Sequence, residues 1–323
     1  MSVFVRRALL ALAAAPLARP YLAHAQGSWP NGPVRLVAPF PPGGSADLLC
    51  RLLQAPLQAS LGVPIVVENR PGASGALGTA VVARAPADGQ SFVLVFDTHV
   101  VNPALNPTLG FEPKDLRGVM LVASAPMLVA TAKAKPFADL PALIARAKAA
   151  PETVTYGTVG IGSLAHLTME RVQDVTGTKM IHVPYRGGGP MSTAASAGEI
   201  DLAVASVVGL GGQVGTTLRA LAQTGEARSP LRPDIPTLIE GGVPGVSAKA
   251  FWGLMAPAGL PDAILARFHA ALVEALRQPA IRQPLEGQGV DVVASTPAEF
   301  DRFLEQQAAI WTQVVREKRI TAN

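Results

Sequence analysis

The 323-residue sequence has one cysteine, Cys50, so no internal disulfide can staple the chain. Cys50 sits among Leu48, Leu49, Leu52 and Leu53, which reads as a small core residue rather than a reactive thiol. Past the first 25 residues no stretch approaches the ~18 uninterrupted apolar residues that a membrane-spanning helix needs. No block of Lys or Arg stands out, which leaves nucleic-acid binding without support. The first glycine pair, Gly43-Gly44, belongs to neither the Gly-x-Gly-x-x-Gly nor the Gly-Lys-Ser/Thr phosphate signature. The five histidines (24, 99, 166, 182 and 269) form no His-x-x-x-His pair, and with no cysteine cluster a metal site is not expected. No cofactor is implied.

What is present begins with a leader. Arg6 and Arg7 precede an apolar run from Ala8 to Leu17, and Ala23-His24-Ala25 supplies the small-x-small pattern of a signal peptidase site. Residues 1–25 are therefore read as a signal peptide, and the mature chain as exported. Arg6, Arg7 and Arg19 leave with it, so 27 basic and 23 acidic residues become 24 and 23, a nearly neutral working chain. About 300 residues at 49% hydrophobic suit two lobes with a large shared core.

The mature chain alternates strand-like and helix-like stretches, the βαβ rhythm of a mostly parallel sheet covered by helices. VRLVAP (Val34 to Pro39) reads as a buried strand, and from Ala46 apolar residues recur at helical spacing. Between them, Gly43 and Gly44 leave the amides of the helix start approachable. Ser45 stands where an N-cap is expected, and Asp47 falls in the first turn, where negative charge suits the helix dipole. Such an elbow is also an ordinary way to turn a chain, and alone it decides nothing. The same plan returns in VTYGTVGIGSLAHL, where Thr158, Gly160, Gly162 and Ser163 take the parts of Pro42, Gly43, Gly44 and Ser45. Two anion-ready helix starts, one per half and at the carboxyl ends of strands, point to a carboxylate held between lobes.

LRGVMLVASAPMLVATAK reads as two extended runs meeting near Ser124-Ala125-Pro126, where the chain crosses between lobes. The expected organisation is a first lobe over 26–124, a second over 125–248, and a return over 249–323 that ends in three helices. The last of these is expected to pack on the first lobe.

The motifs VRLVAPFPPGGSADLLCRLL, VVENRPGASGALG, APADGQSFVLV, THVVNPAL, VTYGTVGIGSLAHL, IHVPYRGGGP and RSPLRPDIPTLIEGGVPG occur here in order. Together they resemble the Bug family of extracytoplasmic solute-binding proteins, the receptors of tripartite tricarboxylate transporters. The resemblance implies an α/β, two-lobed periplasmic binding protein fold of the type II, Venus-flytrap kind, without catalytic activity. It also implies a small carboxylate as ligand, transporter membrane subunits as partners, and a monomer. Carried over by residue, the first-lobe loop falls on Phe40, Pro41, Pro42, Gly43, Gly44, Ser45 and Asp47. The second-lobe loop falls on Thr158, Val159, Gly160, Ile161, Gly162, Ser163 and His166, with Asp97, Thr98 and His99 beside Asn102 to Leu105. Two departures from the family pattern stand out. Ala205 and Ser206 replace a polar pair, and Asp97 brings an acid to the expected cleft, which disfavours a second carboxylate nearby.

Other readings remain open at this stage. His166 serves either helix packing or the ligand; His182 and Tyr185 read as sheet-ordering, Arg70 as a turn brace or an anion contact, and Phe251 and Trp252 as hinge lining or cleft wall. A receptor that signals rather than transports would use the same closure. A hydrolase built from Ser163, His166 and Asp97 is disfavoured, because Ser163 and His166 are near neighbours on one helix and no Gly-x-Ser-x-Gly elbow is present.

Overall fold

The computed structural model describes residues 29–106, 109–210 and 212–321; the expected leader over 1–25 lies outside them. The first half contains β1 (Val34–Ala38), α1 (Ser45–Leu61), β2 (Ile65–Asn69), α2 (Ala76–Ala83), β3 (Ser91–Phe96), α3 (Asn102–Leu105) and β4 (Leu116–Ala132). Then come α4 (Leu140–Ala149), β5 (Thr155–Thr158), α5 (Leu164–Thr176), β6 (Ile181–Pro184), α6 (Gly188–Ala197), β7 (Leu202–Ser206) and β8 (Leu218–Gln223). The chain returns through β9 (Lys249–Pro257), α7 (Asp262–Arg277), α8 (Pro279–Glu286), β10 (Asp291–Val292) and α9 (Pro297–Glu317).

The strands follow the order β2-β1-β3-β9-β4-β7-β5-β6, with β8 and β10 also paired to β4. Parallel pairing holds for the outer strands of each lobe, β2-β1-β3 and β6-β5-β7. The two long strands between them run antiparallel to their neighbours, a mixed centre that the βαβ rhythm did not announce. Those strands cross between the lobes. β4 pairs with β9 as far as Pro126↔Lys249, and from Met127 onward it pairs with β7 and β8. The two runs expected around Ser124-Ala125-Pro126 are thus one strand that changes partner, and Pro126, which has no N–H to donate, stands at the change. Buried Thr224 ties the crossing. Its backbone and hydroxyl both bond Met127 and both bond Ala248, at 2.6–2.9 Å.

Amphipathicity sets the layers. The inner face of α1 (Leu49, Leu53, Leu57 and Leu61) is buried on the first-lobe sheet, each side chain contributing roughly 1.5–3 kcal/mol, and Cys50 lies fully buried among them. The last helix does pack on the first lobe, and it starts with a capping box between Thr296 and Glu299. Phe300 fills the space over Gly253, while Asp301 accepts the N–H of Gly118 at 2.8 Å. Beyond α9, Lys318 reaches Asp174 of α5, so the closing segment touches both lobes. Among the described residues no helix is long and apolar enough to cross a membrane.

A Cβ at Gly253 would lie 2.0 Å from the tip of the Phe300 ring, which is itself fully buried. Gly253→Ala is therefore expected to destabilise the fold by roughly 1–3 kcal/mol in denaturant unfolding. In the Phe300→Leu background the same change is expected to cost measurably less; equal losses in both backgrounds would show that the ring does not carry the effect.

Candidate ligand site

The first elbow forms as its residues dictate. Gly43 takes a left-handed φ of +81°, which an L side chain rarely adopts, and Gly44 then stands extended as the residue before the helix. Gly44, not Ser45, is thus the N-cap, and no side chain caps the helix. The Ser45 hydroxyl instead accepts the indole N–H of Trp252 at 3.1 Å. The Asp47 carboxylate turns back to accept the Gly43 N–H at 2.9 Å and the Arg51 guanidinium at 3.0 Å. Burial raises its pKa, but these bonds outweigh burial and hold it below the usual carboxylate value. The first-turn N–H groups of Ser45, Ala46 and Asp47 have no acceptor within the helix, and the first helical bond runs from Leu48 to Gly44.

The second elbow is built differently. Ser163 is the N-cap of α5, as its spacing suggested, and accepts the His166 N–H at 3.3 Å. The Gly162 N–H goes to His166 Nδ1 at 3.1 Å. Asp97, arriving from the first lobe, accepts the Leu164 N–H at 3.1 Å. Three amides of this helix start are therefore taken by the protein's own groups. Thr158 is fully buried and hydrogen-bonds His182 Nε2 at 2.7 Å, while its hydroxyl donates to the Gly160 carbonyl. His166 stacks on His182, ring centroids 3.8 Å apart, and His182 stacks on Tyr156. Burial holds His166 down at about 4; burial, reinforced by His166, holds His182 at about 3, so both rings are neutral near pH 7. His166 thus packs on His182 with its Nδ1 on the Gly162 amide. The hydrolase arrangement is not assembled, since the Ser163 hydroxyl faces its own helix and His166 Nδ1 faces Gly162.

The helix start that does meet the first elbow is that of α6. A cavity of about 20 Å³ between the lobes is lined by Phe40, Gly44, Ser45 and Ala46, by Phe96 at the end of β3, and by Val159, Gly187 and Gly188. Gly187 and Gly188 are the N-cap and first residue of α6. Their motif, YRGGGP, repeats the strand-glycine-helix plan after β6, and that plan was the signal available in the sequence for finding them. Behind the cavity, Phe40, Phe96 and Trp252 form a line of rings with centroids 5.9 and 5.6 Å apart. Ser206 lies buried and accepts the Gly209 N–H at 3.1 Å, in the loop that passes against Gly188. Arg70 is exposed and braces Glu68. A larger groove of about 770 Å³ near α9 is lined by Arg228 and by the ion pair Lys249–Asp291, and it touches none of the elbow residues.

The lobes also grip each other directly. Ser74, in a left-handed backbone conformation, donates its hydroxyl to the Ile161 carbonyl at 3.0 Å, and Asn102 holds Ser74 in turn. Neither side chain was singled out from the sequence as a lobe contact. Thr98 and His99 are buried in the turn after β3, and burial holds His99 down at about 4. Asp97 is 2% exposed, and its second oxygen, Oδ2, has no partner. Burial pushes its carboxyl up to about 7, against the opposing pull of the Leu164 and Thr98 amides. Among the described residues no three His, Cys, Asp or Glu side chains gather as a metal site.

Two α/β lobes joined by crossing strands, with helix starts facing each other across a cleft, define a solute-binding protein of the periplasmic class. Residues 49–320 match the model of the tripartite tricarboxylate transporter family receptor, and the chain belongs to that family. It is 34% identical over 294 residues to the protein BugT of Bordetella pertussis, covering 90% of each chain. Among solved structures, an R. palustris protein with adipate aligns with a TM-score of 0.86 at 30% identity, over 91% of this chain and 99% of that one. MatC of Rhodopseudomonas palustris with bound malate aligns with a TM-score of 0.83 at 29% identity, over 88% of this chain and 99% of that one.

The Asp97 geometry gives a pH prediction. The folded carboxyl holds its proton up to about 7 while the unfolded one releases it near 3.8, so between these values the folded chain binds more protons and loses stability as pH rises. The buried histidines act in the opposite sense, so the comparison must be made against a variant. Asp97→Asn keeps an acceptor for Leu164 and is expected to gain stability relative to the parent from pH 4 to 7, by up to about 4 kcal/mol, in parallel thermal melts. A constant difference across that range would mean that Asp97 ionises freely in the folded chain.

Proposed function

We propose that this chain is an exported receptor that takes a small carboxylate between its lobes and delivers it to the membrane subunits of a tripartite uptake system. The observation that carries this reading is the meeting of two helix starts, α1 and α6, at one interlobe cavity. Open first-turn amides and the positive ends of two helix dipoles favour an anion there. The bound adipate and malate in related structures agree with a carboxylate. In this reading Phe40, Gly44 and Ser45 meet the ligand from the first lobe, with Val159, Gly187 and Gly188 opposite. Pro42, Gly43 and Asp47 shape the first elbow. Thr158, Gly160, Gly162, Ser163, His166 and Ser206 support the second lobe, and Asp97 with Thr98 latches the two. The lobes are proposed to span 26–124 with 249–323, and 125–248, with the leader removed near Ala25 on passage to the periplasm. Binding then shifts an open population toward the closed form.

Gly44 has an ordinary extended backbone with room for a Cβ, so Gly44→Val is expected to fold normally while its side chain blocks the α1 amides. In a thermal-shift screen of small carboxylates and their neutral amides, an acid at ~100 times its Kd should add about 2.7 kcal/mol and its amide nothing. Gly44→Val should weaken the acid at least tenfold with an unchanged melt in its absence. Equal response to acid and amide would defeat the proposal.

A further inference from the structure

The 20 Å³ between the two helix starts holds one oxygen-bearing group and little more. If a carboxylate head sits there, as proposed above and on which this inference rests, the rest of the molecule must lie elsewhere. Ser45 forms one wall of that cavity and also one wall of a second compartment of about 200 Å³. This compartment runs beside α1 and is formed by Leu48, Leu49, Leu52, Trp252, Leu285 and, from the second lobe, Val208. Its polar contributors are the Ser45 hydroxyl, already accepting the Trp252 N–H, and exposed Gln288, whose amide donates to the Pro284 carbonyl. No Lys, Arg, His, Asp or Glu lines it.

The geometry points to this compartment as the seat of the ligand's apolar body, and so to a monocarboxylate with a compact aromatic or branched aliphatic body as the solute. The size fits, since an apolar cavity of ~150 Å³ takes benzene. The lining fits as well, since it offers a second carboxylate no cation, and burying one against these apolar walls would strip water from it without replacement. Val208 adds a reason for the body to matter. It is the second lobe's wall on a compartment otherwise built from the first, so an apolar body contacts both lobes only when they are closed. The body would then favour closure directly, beyond the grip on the head group.

The test is calorimetric titration of the purified full chain with benzoate, propionate and adipate. Benzoate is expected to bind at least tenfold tighter than propionate or adipate. Val208→Trp, which fills the compartment from a half-buried loop position, should weaken benzoate at least tenfold and leave propionate within twofold. Leu48→Ala, at a side chain 46% exposed, should weaken benzoate about threefold, and it serves as the check if the tryptophan variant melts early. Benzoate binding that both variants leave unchanged would overturn the compartment while leaving carboxylate capture intact. Adipate binding as tightly as benzoate would overturn the apolar body in the same way. If none of the three acids binds the parent chain but a neutral solute does, the carboxylate reading itself fails, and this inference with it.

Discussion

An α-helix cannot satisfy the N–H groups of its first turn, and this constraint organises the molecule. Among the glycine-rich helix starts of the fold, those at α1, α5 and α6 are treated differently. At α5 the amides of Gly162, Leu164 and His166 are met by His166, Asp97 and Ser163. At α1 no side chain caps the helix, and the one carboxylate close by, Asp47, is turned to Gly43 and Arg51. At α6 the N-cap is a glycine with no side chain to offer. The uncapped starts of α1 and α6 share a cavity, and the capped start of α5 joins the lobes through Asp97.

That division gives Asp97 its place. A carboxylate from the first lobe does at α5 what a ligand's carboxylate is proposed to do at α1 and α6, and it does so permanently. Its free Oδ2 and its raised affinity for a proton are the consequence of burying an acid with two amide donors and no cation. Ser74 on Ile161 and Lys318 on Asp174 add further grips between the lobes. Closure therefore has protein–protein contacts of its own, formed by groups that lie far apart in sequence.

The sequence made the elements and their order legible, because strand and helix periodicities were strong and every Gly-rich turn lay between them. It also made the first elbow legible as a place of open amides. It did not show that the second one is capped by the protein's own groups, for a physical reason. Whether a helix start is open depends on what caps it, and Asp97 reaches α5 from 67 residues upstream, a pairing that no local pattern encodes. The shift from Ser45 to Gly44 as N-cap has a similar origin, since Trp252 of the return strand draws the Ser45 hydroxyl away. The α6 start was visible as YRGGGP, but three glycines before a helix look the same whether or not another lobe faces them. The continuous β4 was read as two runs because Pro126 interrupts a pattern; the structure puts that proline where the interruption is harmless.

Holding an anion with peptide dipoles instead of Lys or Arg, as proposed for this cleft, has a consequence for release. A lysine or arginine in one lobe would attract the anion whether the lobes were open or closed, and would bind it uniformly in both states. Two helix ends contribute fully only when both face the same group, so their combined effect falls steeply as the lobes part. A ligand shifts a conformational equilibrium only by its differential affinity for the two states, and shared dipoles make nearly all of the second lobe's contribution differential. The interlobe contacts at Asp97, Ser74 and Lys318 lower the free energy of the closed form before any ligand arrives, so the ligand has a smaller gap to bridge. In the proposed site, opening the lobes would remove the α6 contribution in one step, which would let a receptor with a well-fitted closed cleft still give up its solute.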